Sequence, residues 1–119
     1  MSPSPARIRS TIAAVVDQPD ELRELRVLYK ALADVNRLRI VRRLAAGDAS
    51  VTALIDDVGL SQPLVSWHIG RLRAAGLVAT HRSGRETVCS LRPDAFEAFV
   101  QRQRSVLGLK VGLATRAAS

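Results

Sequence analysis

The sequence has few of the residue types that build redox and metal sites. Its 119 residues include a single cysteine, Cys89, and only 3% of them are aromatic. One cysteine excludes an intramolecular disulfide and a thiolate-rich metal cluster within one chain. Because aromatic side chains are so scarce, aliphatic residues must fill most of the hydrophobic core.

The motifs of common enzyme and membrane-protein classes are also missing. We find no glycine-rich phosphate loop, no nucleophile motif and no cluster of histidine with carboxylates, so we expect neither enzymatic activity nor a cofactor. No apolar run approaches the roughly 18 residues of a membrane span, and we see no signal peptide. We therefore expect a cytoplasmic protein without a membrane partner.

Positive charge is what the sequence has in excess. The formal net charge is +7 and the pI is about 11.2. This balance points to a polyanionic partner, first nucleic acid and second an anionic membrane. No helix pairs a basic face with a bulky apolar face strongly enough to favour the membrane. Hydrophobic residues make up 47% of the chain, so we expect one globular domain over residues 1–119 with a modest core.

Residues 60–78, LSQPLVSWHIGRLRAAGLV, carry the strongest pattern in the chain. Ser61 is a good N-cap, and Pro63 lies in the first turn, where its missing N–H costs nothing. Gly76 offers a left-handed stop. Between these signals, three apolar residues recur at helical spacing: Val65, Ile69 and Leu72. The pattern predicts a helix over 62–75 with one thin apolar stripe.

The remaining faces of this helix suit the major groove of DNA. The face opposite the stripe holds Pro63, Trp67, Gly70, Arg71 and Ala74. The flanks hold Gln62, Ser66 and Arg73 on one side and His68 on the other. Glutamine and serine can contact base edges, and arginine can bind guanine or phosphate. We therefore interpret 62–75 as a candidate recognition helix.

Periodicity predicts four more helices before it. They cover residues 6–16, 21–33, 37–46 and 51–58, and the last three are capped by Asp20, Asn36 and Ser50. The expected inward residues of the second and third are Leu22, Leu25, Leu28, Tyr29 and Leu32, then Leu38, Val41 and Leu44. A short turn with Gly59 joins 51–58 to the recognition helix, which predicts a helix-turn-helix.

A β-hairpin is predicted after Gly76. Residues 77–82 and 85–91 are rich in Val, Thr and Leu, and Ser83-Gly84 forms the expected turn. The predicted pairs are Arg82 with Arg85, His81 with Glu86 and Val78 with Cys89. In this register His81 and Cys89 lie on opposite faces. Arg82 and Arg85 at the tip would form a basic wing, able to contact phosphates or the minor groove.

The last predicted helix runs from about 94 to 108. Its apolar stripe follows a spacing of three and four: Phe96, Phe99, Val100, Gln103, Val106, Leu107 and Lys110. In so small a domain this stripe is buried most economically in a dimer. The expected fold is mostly α with a small β-hairpin, a winged helix-turn-helix in the order α-α-α-α-α-β-β-α. We divide it into an N-terminal dimerisation helix (1–19), a core (20–91) and a C-terminal dimerisation helix with a frayed tail (92–119).

The sequence resembles the ArsR/SmtB family of winged-helix transcriptional repressors. The resemblance lies in ALADVNRLRIVRRLAAG (31–47), LSQPLVSWHIGRLRAAGLV (60–78) and HRSGRETVCSL (81–91). It implies a homodimer that binds a pseudo-palindromic operator and is released by a signal. It maps Ser61, Gln62, Ser66 and His68 onto DNA-facing positions and Arg82 and Arg85 onto the wing. It maps the dimer surface onto Ile8, Ile12, Phe96, Phe99, Val100 and Leu107.

The chain departs from the metal-sensing members of that family. The start of the fourth helix, ASVTAL, has no cysteine, and the last helix has no histidine and only Asp94 and Glu97 near its start. Metal ions need such ligands at matched spacing. We therefore predict no metal site within one chain, and the releasing signal is not a conventional metal ion. A site between subunits, an organic ligand or oxidation of Cys89 stay open as alternatives.

Several side chains allow a structural and a functional interpretation. Trp67 either packs against a neighbour or faces DNA, and its position opposite the stripe favours DNA. His68 either donates to a base or phosphate or caps a backbone group. Gly70 either permits close approach of DNA or a helix or has no functional reason. Cys89 fits a small buried strand residue better than a redox sensor.

The leading hypothesis is a dimeric, sequence-specific DNA-binding repressor. Its predicted DNA contacts are Ser61, Gln62, Pro63, Ser66, Trp67, His68, Arg71, Arg73, Arg82 and Arg85. The rival is a winged-helix protein-interaction module that does not discriminate DNA sequences. Such a module would carry an apolar or acidic recognition helix, which the basic flank and wing argue against.

Overall fold

The computed structural model describes residues 20–110, and the predicted helix at 6–16, with Ile8 and Ile12, lies outside them. The described elements are α1 (20–32), α2 (Val35–Ala45), β1 (Ala49–Ser50), α3 (Val51–Val58), α4 (Gln62–Ala74), β2 (Val78–Ser83), β3 (Glu86–Leu91) and α5 (Pro93–Leu107). Helices with one small antiparallel sheet confirm the predicted winged-helix class. No described helix is both long and apolar enough to cross a membrane.

Helix α2 begins earlier than predicted because Asp34, and not Asn36, is its N-cap. The Asp34 side chain accepts a hydrogen bond from the backbone N–H of Arg37 at 3.0 Å. The buried face of α2 is also rotated from the predicted one. Ile40 is fully buried, whereas Leu38 is 48% exposed. Arg37 takes the inward position that the sequence pattern assigned to an apolar residue.

The helix-turn-helix consists of α3 and α4, as predicted. The Ser50 hydroxyl accepts from the N–H of Ala53 at 3.1 Å and caps α3. Gly59 ends α3 with φ +73°, a left-handed conformation that favours glycine. Two residues later Ser61 caps α4. The turn is therefore short, and it holds the two helices at a defined angle.

The end of α4 also follows the sequence prediction. Gly76 has φ +78°. Its N–H donates to the carbonyl of Arg73 at 2.9 Å, and the N–H of Leu77 donates to the carbonyl of Leu72 at 3.0 Å. This pair of bonds is a Schellman motif, and Leu77 supplies its apolar contact in the core. The chain thereby turns directly from α4 into the first wing strand.

The wing hairpin forms, but its turn lies one residue later than predicted. Ser83 pairs with Glu86, Arg82 with Thr87 and His81 with Val88. The central turn residues are thus Gly84, with φ +62°, and Arg85. Glycine at the first central position is typical of a type II′ turn, whose twist matches the strands. Moving the turn by one residue shifts each partner by two, so the predicted faces of the strands are unchanged.

The sheet has a third strand that the sequence analysis missed. β1 pairs antiparallel with β3, and the strand order is β1-β3-β2. Ala49 lies opposite Cys89, and both side chains are buried. β1 has only two residues, too few for an alternating pattern to be visible. It attaches the start of the helix-turn-helix to the wing.

The core lies between the helix-turn-helix, α2 and the inner face of the sheet. Its most completely buried side chains are Ile40, Leu54, Val65, Leu72, Leu77, Val78 and Cys89. α1 contributes Leu25 and Ala31, while Leu28 and Leu32 are half-buried. The predicted inward face of α1 was wrong at Leu22 and Tyr29, which are 48% and 39% exposed. α1 therefore packs with a narrower stripe than its sequence suggests.

Candidate nucleic-acid interface

Helix α4 has one apolar face in the core and a polar face in solvent. The predicted stripe of Val65, Ile69 and Leu72 is buried. The Ser61 hydroxyl accepts from the N–H of Leu64 at 3.4 Å and so defines where the helix starts. Packing on one side and a cap at the start hold the outer face of α4 in a fixed orientation.

The predicted DNA contacts of α4 lie on its exposed side, with one exception. The exposed ones are Ser61, Gln62, Pro63, Ser66, Trp67, Arg71 and Arg73. His68 is the exception, since it is only 5% exposed. A side chain this buried does not present its ring for contact with a base or phosphate, and its bond is to the Arg37 side chain and not to a backbone group. The side chain points inward because its position borders the apolar stripe and because a polar partner is buried beside it.

That partner is Arg37, a buried residue that the sequence analysis did not single out. Arg37 is 8% exposed, and its Nη1 lies 3.1 Å from Nδ1 of His68. Asp34 Oδ1 lies 3.9 Å from the same nitrogen. Burying a guanidinium is expensive unless its donors are satisfied. In the sequence, the one signal for this buried role of Arg37 is that Asp34 stands three positions before it at the start of α2.

Trp67 lies on the exposed face of α4, as predicted, with 55% of its surface accessible. The guanidinium carbons of Arg37 and Arg71 lie 5.5 Å and 5.8 Å from its ring centroid. Both distances fall within the range of cation–π attraction. The ring also makes an edge contact with His68, with 5.0 Å between centroids. Trp67 is thus a large apolar group held on a basic surface.

Gly70 faces open space in the middle of α4. A Cβ at this position would have no heavy atom of the described structure within 4 Å. Close approach of a helix from residues 20–110 is therefore not the reason for this glycine. Approach of DNA and the absence of any functional reason stay open as explanations.

The wing carries both of its predicted arginines on the surface. Arg82 and Arg85 are exposed at the turn end of the hairpin. Arg82 Nη1 donates to the Thr87 hydroxyl on the paired strand at 3.3 Å. Within residues 20–110, no carboxylate forms an ion pair with Arg71, Arg73, Arg82 or Arg85. The positive charge of α4 and the wing is therefore available to a polyanion.

The predicted dimer residues of α5 lie on a helix that buries little of itself against the rest of residues 20–110. No residue of α5 is buried. Phe96 and Phe99 are half-buried, while Val100 and Leu107 are 39% and 47% exposed. An apolar stripe in solvent is a surface that association can bury. Its role in a dimer stays a prediction.

In the described residues we find neither a group of side chains that could bind a metal ion nor a reactive thiol. Within residues 20–110, no three His, Cys, Asp or Glu side chains are grouped so that they could hold a metal ion. Cys89 is fully buried, and this burial raises the pKa of its thiol. A raised pKa lowers the thiolate fraction and hence the reactivity. The interpretation of Cys89 as a buried strand residue is confirmed.

Comparison with known proteins agrees with this architecture. The family model described as "Bacterial regulatory protein, arsR family" matches residues 34–80, which contain α2, the whole helix-turn-helix and the start of β2. The chain is 44% identical over 64 residues to the "HTH-type transcriptional repressor SmtB" of Mycobacterium tuberculosis, a match that covers 54% of this chain and 47% of that protein. The chain thus spans about half the length of that repressor.

Two further relatives are matched over more of their length. The chain is 33% identical to the "Uncharacterized HTH-type transcriptional regulator YceK" of Bacillus subtilis, covering 61% of this chain and 75% of that protein. The solved "ArsR-like Transcriptional Regulator from Rhodococcus sp. RHA1" superposes with a TM-score of 0.66 at 26% identity, covering 82% of this chain and 89% of that one. The chain therefore belongs to the ArsR family of bacterial regulatory proteins.

Proposed function

We propose that this chain is a sequence-specific DNA-binding transcriptional regulator that acts as a dimeric repressor. In this proposal α4 enters the major groove and the β2–β3 wing contacts the flanking backbone or minor groove. The observation that carries it is the outer face of α4, where Gln62, Ser66 and Trp67 are exposed beside Arg71 and Arg73. The named repressors and regulators among the relatives support the same function.

The chemistry of the exposed groups suits a division of labour on DNA. Gln62 and Ser66 lie in the first half of α4, where a recognition helix contacts base edges. Glutamine can form two hydrogen bonds with adenine, and Trp67 can pack on a thymine methyl or sugar edge. Arg71, Arg73, Arg82 and Arg85 supply positive charge to phosphates, which positions the protein without specifying sequence.

A dimer would carry two copies of this surface, and each copy would bind one half of a DNA site. The dimer surface we propose consists of Ile8, Ile12, Phe96, Phe99, Val100 and Leu107. The exposed stripe of α5 supports it. A two-fold dimer places its recognition helices about 34–36 Å apart, one turn of B-DNA, which matches a pseudo-palindromic operator.

The signal that releases DNA is unidentified, and we propose that it is not a conventional metal ion. This part rests on the sequence, which lacks cysteine at the start of α3 and histidine in α5. A metal site assembled between two subunits is the arrangement that would contradict it.

Fluorescence anisotropy on labelled duplexes tests the proposal. One duplex carries the DNA directly upstream of the gene for this chain, and the other is a scrambled sequence of equal length and composition. Titrations run across salt, with EDTA and with a panel of divalent ions. We expect tight, salt-dependent binding that prefers the upstream duplex and ignores every ion. Equal, weak binding to both duplexes would instead favour the protein-interaction module.

Two substitutions distinguish the proposed phosphate contact of the wing from the proposed base contact of α4. Arg82→Ala should weaken binding to both duplexes alike and reduce the salt slope by about one unit. Gln62→Ala should reduce the preference for the upstream duplex with little change in the slope. Arg23→Ala, an exposed arginine of α1, controls for the change in net charge. An unchanged slope for Arg82→Ala would remove the wing from the proposed surface.

A further inference from the structure

We propose that Arg37 is a positioning residue for DNA recognition, which holds the outer face of α4 through His68 and Trp67. The inference rests on the proposed function of α4. Arg37 is 8% exposed, so it is not itself a phosphate contact. Its guanidinium lies at the junction of three helices, α1, α2 and α4.

The guanidinium first binds the carboxyl end of α1. Nε donates to the carbonyl of Ala31 at 2.6 Å, and Nη2 donates to the carbonyl of Lys30 at 3.2 Å. These carbonyls belong to the last turn of α1, which ends at residue 32. Carbonyls in the last turn of a helix lack partners within it, although that of Lys30 also accepts from the N–H of Ala33 at 3.4 Å. A cation near them also suits the helix dipole. Arg37 thus ties α2 to the end of α1.

The third nitrogen of the same fork reaches α4. Nη1 lies 3.1 Å from Nδ1 of His68. Arginine can only donate, so Nδ1 of His68 accepts and the ring carries its proton on Nε2. His68 is therefore held in one tautomer and one ring orientation. All three guanidinium nitrogens are then occupied, and a shift of the guanidinium would disturb α1 and α4 together.

The guanidinium also lies over the ring of the exposed indole. Its carbon lies 5.5 Å from the Trp67 centroid, and the Trp67 ring makes an edge contact with His68. Trp67 therefore sits on a buried support formed by Arg37 and His68. Ser66 and Trp67 are neighbours on the outer face of α4, and both belong to the proposed DNA contacts. By holding Trp67, Arg37 and His68 therefore fix the position of these contacts relative to α1.

Lysine is the sharpest replacement because it keeps the charge and removes the fork. The Lys ammonium is a single point on a flexible stem and cannot place three nitrogens in a planar fork. Arg42→Lys, an exposed position on the same helix, is the matched control. His68→Asn can place its amide oxygen near the position of Nδ1 and keep the bond. His68→Gln places its oxygen too far along the side chain and loses it.

The first measurement needs no DNA. Trp67 is the only tryptophan of the chain, so emission excited at 295 nm reports on this support alone. We expect Arg37→Lys and His68→Gln to raise acrylamide quenching and shift the emission. Arg42→Lys and His68→Asn should keep the spectrum of the parent protein. Identical spectra for all variants would overturn the positioning role.

The second measurement is the ratio of the affinities for the upstream and scrambled duplexes. Arg37→Lys should lower this ratio about tenfold, the factor that one displaced base contact is worth. Its salt slope should stay unchanged, since no phosphate contact is removed. His68→Gln should follow Arg37→Lys, and His68→Asn should restore the ratio. Thermal unfolding of each variant identifies any that has not folded.

The outcomes separate this inference from the proposed function. If the parent protein prefers the upstream duplex and Arg37→Lys does so equally, the positioning role is wrong and the proposed function stands. Equal losses for His68→Asn and His68→Gln would also overturn it, because the bond at Nδ1 would then not matter. If the parent protein itself shows no preference, the proposed function fails, whatever the Trp67 spectra show.

Discussion

Helices α4 and α5 both carry apolar residues at helical spacing, yet within residues 20–110 only α4 buries them. α4 has four buried residues, Val65, His68, Ile69 and Leu72, whereas α5 has none. α4 packs between α2, α3 and the sheet. Within the described residues, α5 packs against the core through the half-buried Ala95 and Phe96.

The contacts that hold α5 to α1 lie near the surface. Arg102 pairs with Glu24 at 2.8 Å, and the Tyr29 hydroxyl donates to Gln103 Oε1 at 2.5 Å. The Tyr29 and Phe99 rings meet edge to face, with 5.3 Å between centroids. Exposed ion pairs contribute only about 0–1 kcal/mol. In the part of the chain that the structure describes, α5 is therefore attached to α1 by contacts near the surface.

The difference teaches what an amphipathic pattern does and does not specify. The pattern states that one face of a helix will leave water. It does not state which surface covers that face. In α4 the domain core covers the apolar face, and the polar face remains exposed to solvent. In α5 the apolar face remains, which supports association with a second copy.

The largest effect should come from truncating the stripe of α4. Leu72 is fully buried, so Leu72→Ala should lower the free energy of unfolding by about 2–5 kcal/mol through lost burial and a cavity. Leu107→Ala in α5, where the side chain is 47% exposed, should cost far less at low protein concentration. Urea unfolding of both variants measures this. Equal losses would mean that α5 is part of the monomer core.

A charge in the stripe of α5 should act on association rather than on the fold. Val100 is 39% exposed, and Val100→Asp should shift the protein to monomers and weaken binding to the upstream duplex at least about tenfold. Gln101→Asp, an exposed neighbour on the same helix, is the control. Analytical ultracentrifugation measures the mass. An unchanged dimer would place the interface elsewhere.

The helix caps offer a smaller comparison. Ser61 caps α4, while Arg92 at the start of α5 makes no side-chain cap bond. Ser61→Ala should cost about 0.5–1 kcal/mol, the low end for an exposed cap. Arg92→Ser should instead stabilise α5 slightly by adding an acceptor. Thermal unfolding distinguishes the two, and a loss for both variants would show that Arg92 has another structural role.

The smallest effect concerns acid stability near α4. The hydrogen bond from the backbone N–H of Arg37 lowers the pKa of Asp34, aided by nearby His68 and Arg37. A lowered pKa contributes stability above the ordinary value of about 4, and this stability is lost as the pH falls through the folded value. Asp34→Asn keeps a capping oxygen and does not titrate. From pH 5 to pH 2, unfolding in urea should therefore show a smaller decline for the variant than for the parent protein.

Much of the fold followed from local signals. The bounds of α3, the start of α4 at Ser61 and its end at Gly76 were predicted because caps and glycine stops act within a few residues. The burial of Val65, Ile69 and Leu72 followed from one helical period. Membership of a family of regulatory proteins likewise confirms the expectation that the chain is not an enzyme.

One error was local, and the others arose where distant residues decide. The wing turn moved to Gly84-Arg85 because a type II′ turn needs glycine at its first central position. β1 was missed because two residues carry no periodicity, and only pairing with β3 makes them a strand. The exposed Leu38 and the buried Arg37 reflect a rotation of α2 that its own apolar spacing did not reveal.

The sequence by itself determined the helix-turn-helix, its caps and the basic outer face of α4, since these depend on contacts within one or two helical turns. Only the tertiary structure decided the fate of His68 and Arg37. They lie 31 positions apart, and neither pattern nor propensity relates them. A buried guanidinium is tolerated only where acceptors from other helices converge on it. That convergence is a property of packing, and it places His68 in the interior beside Arg37 and not on the outer face of α4.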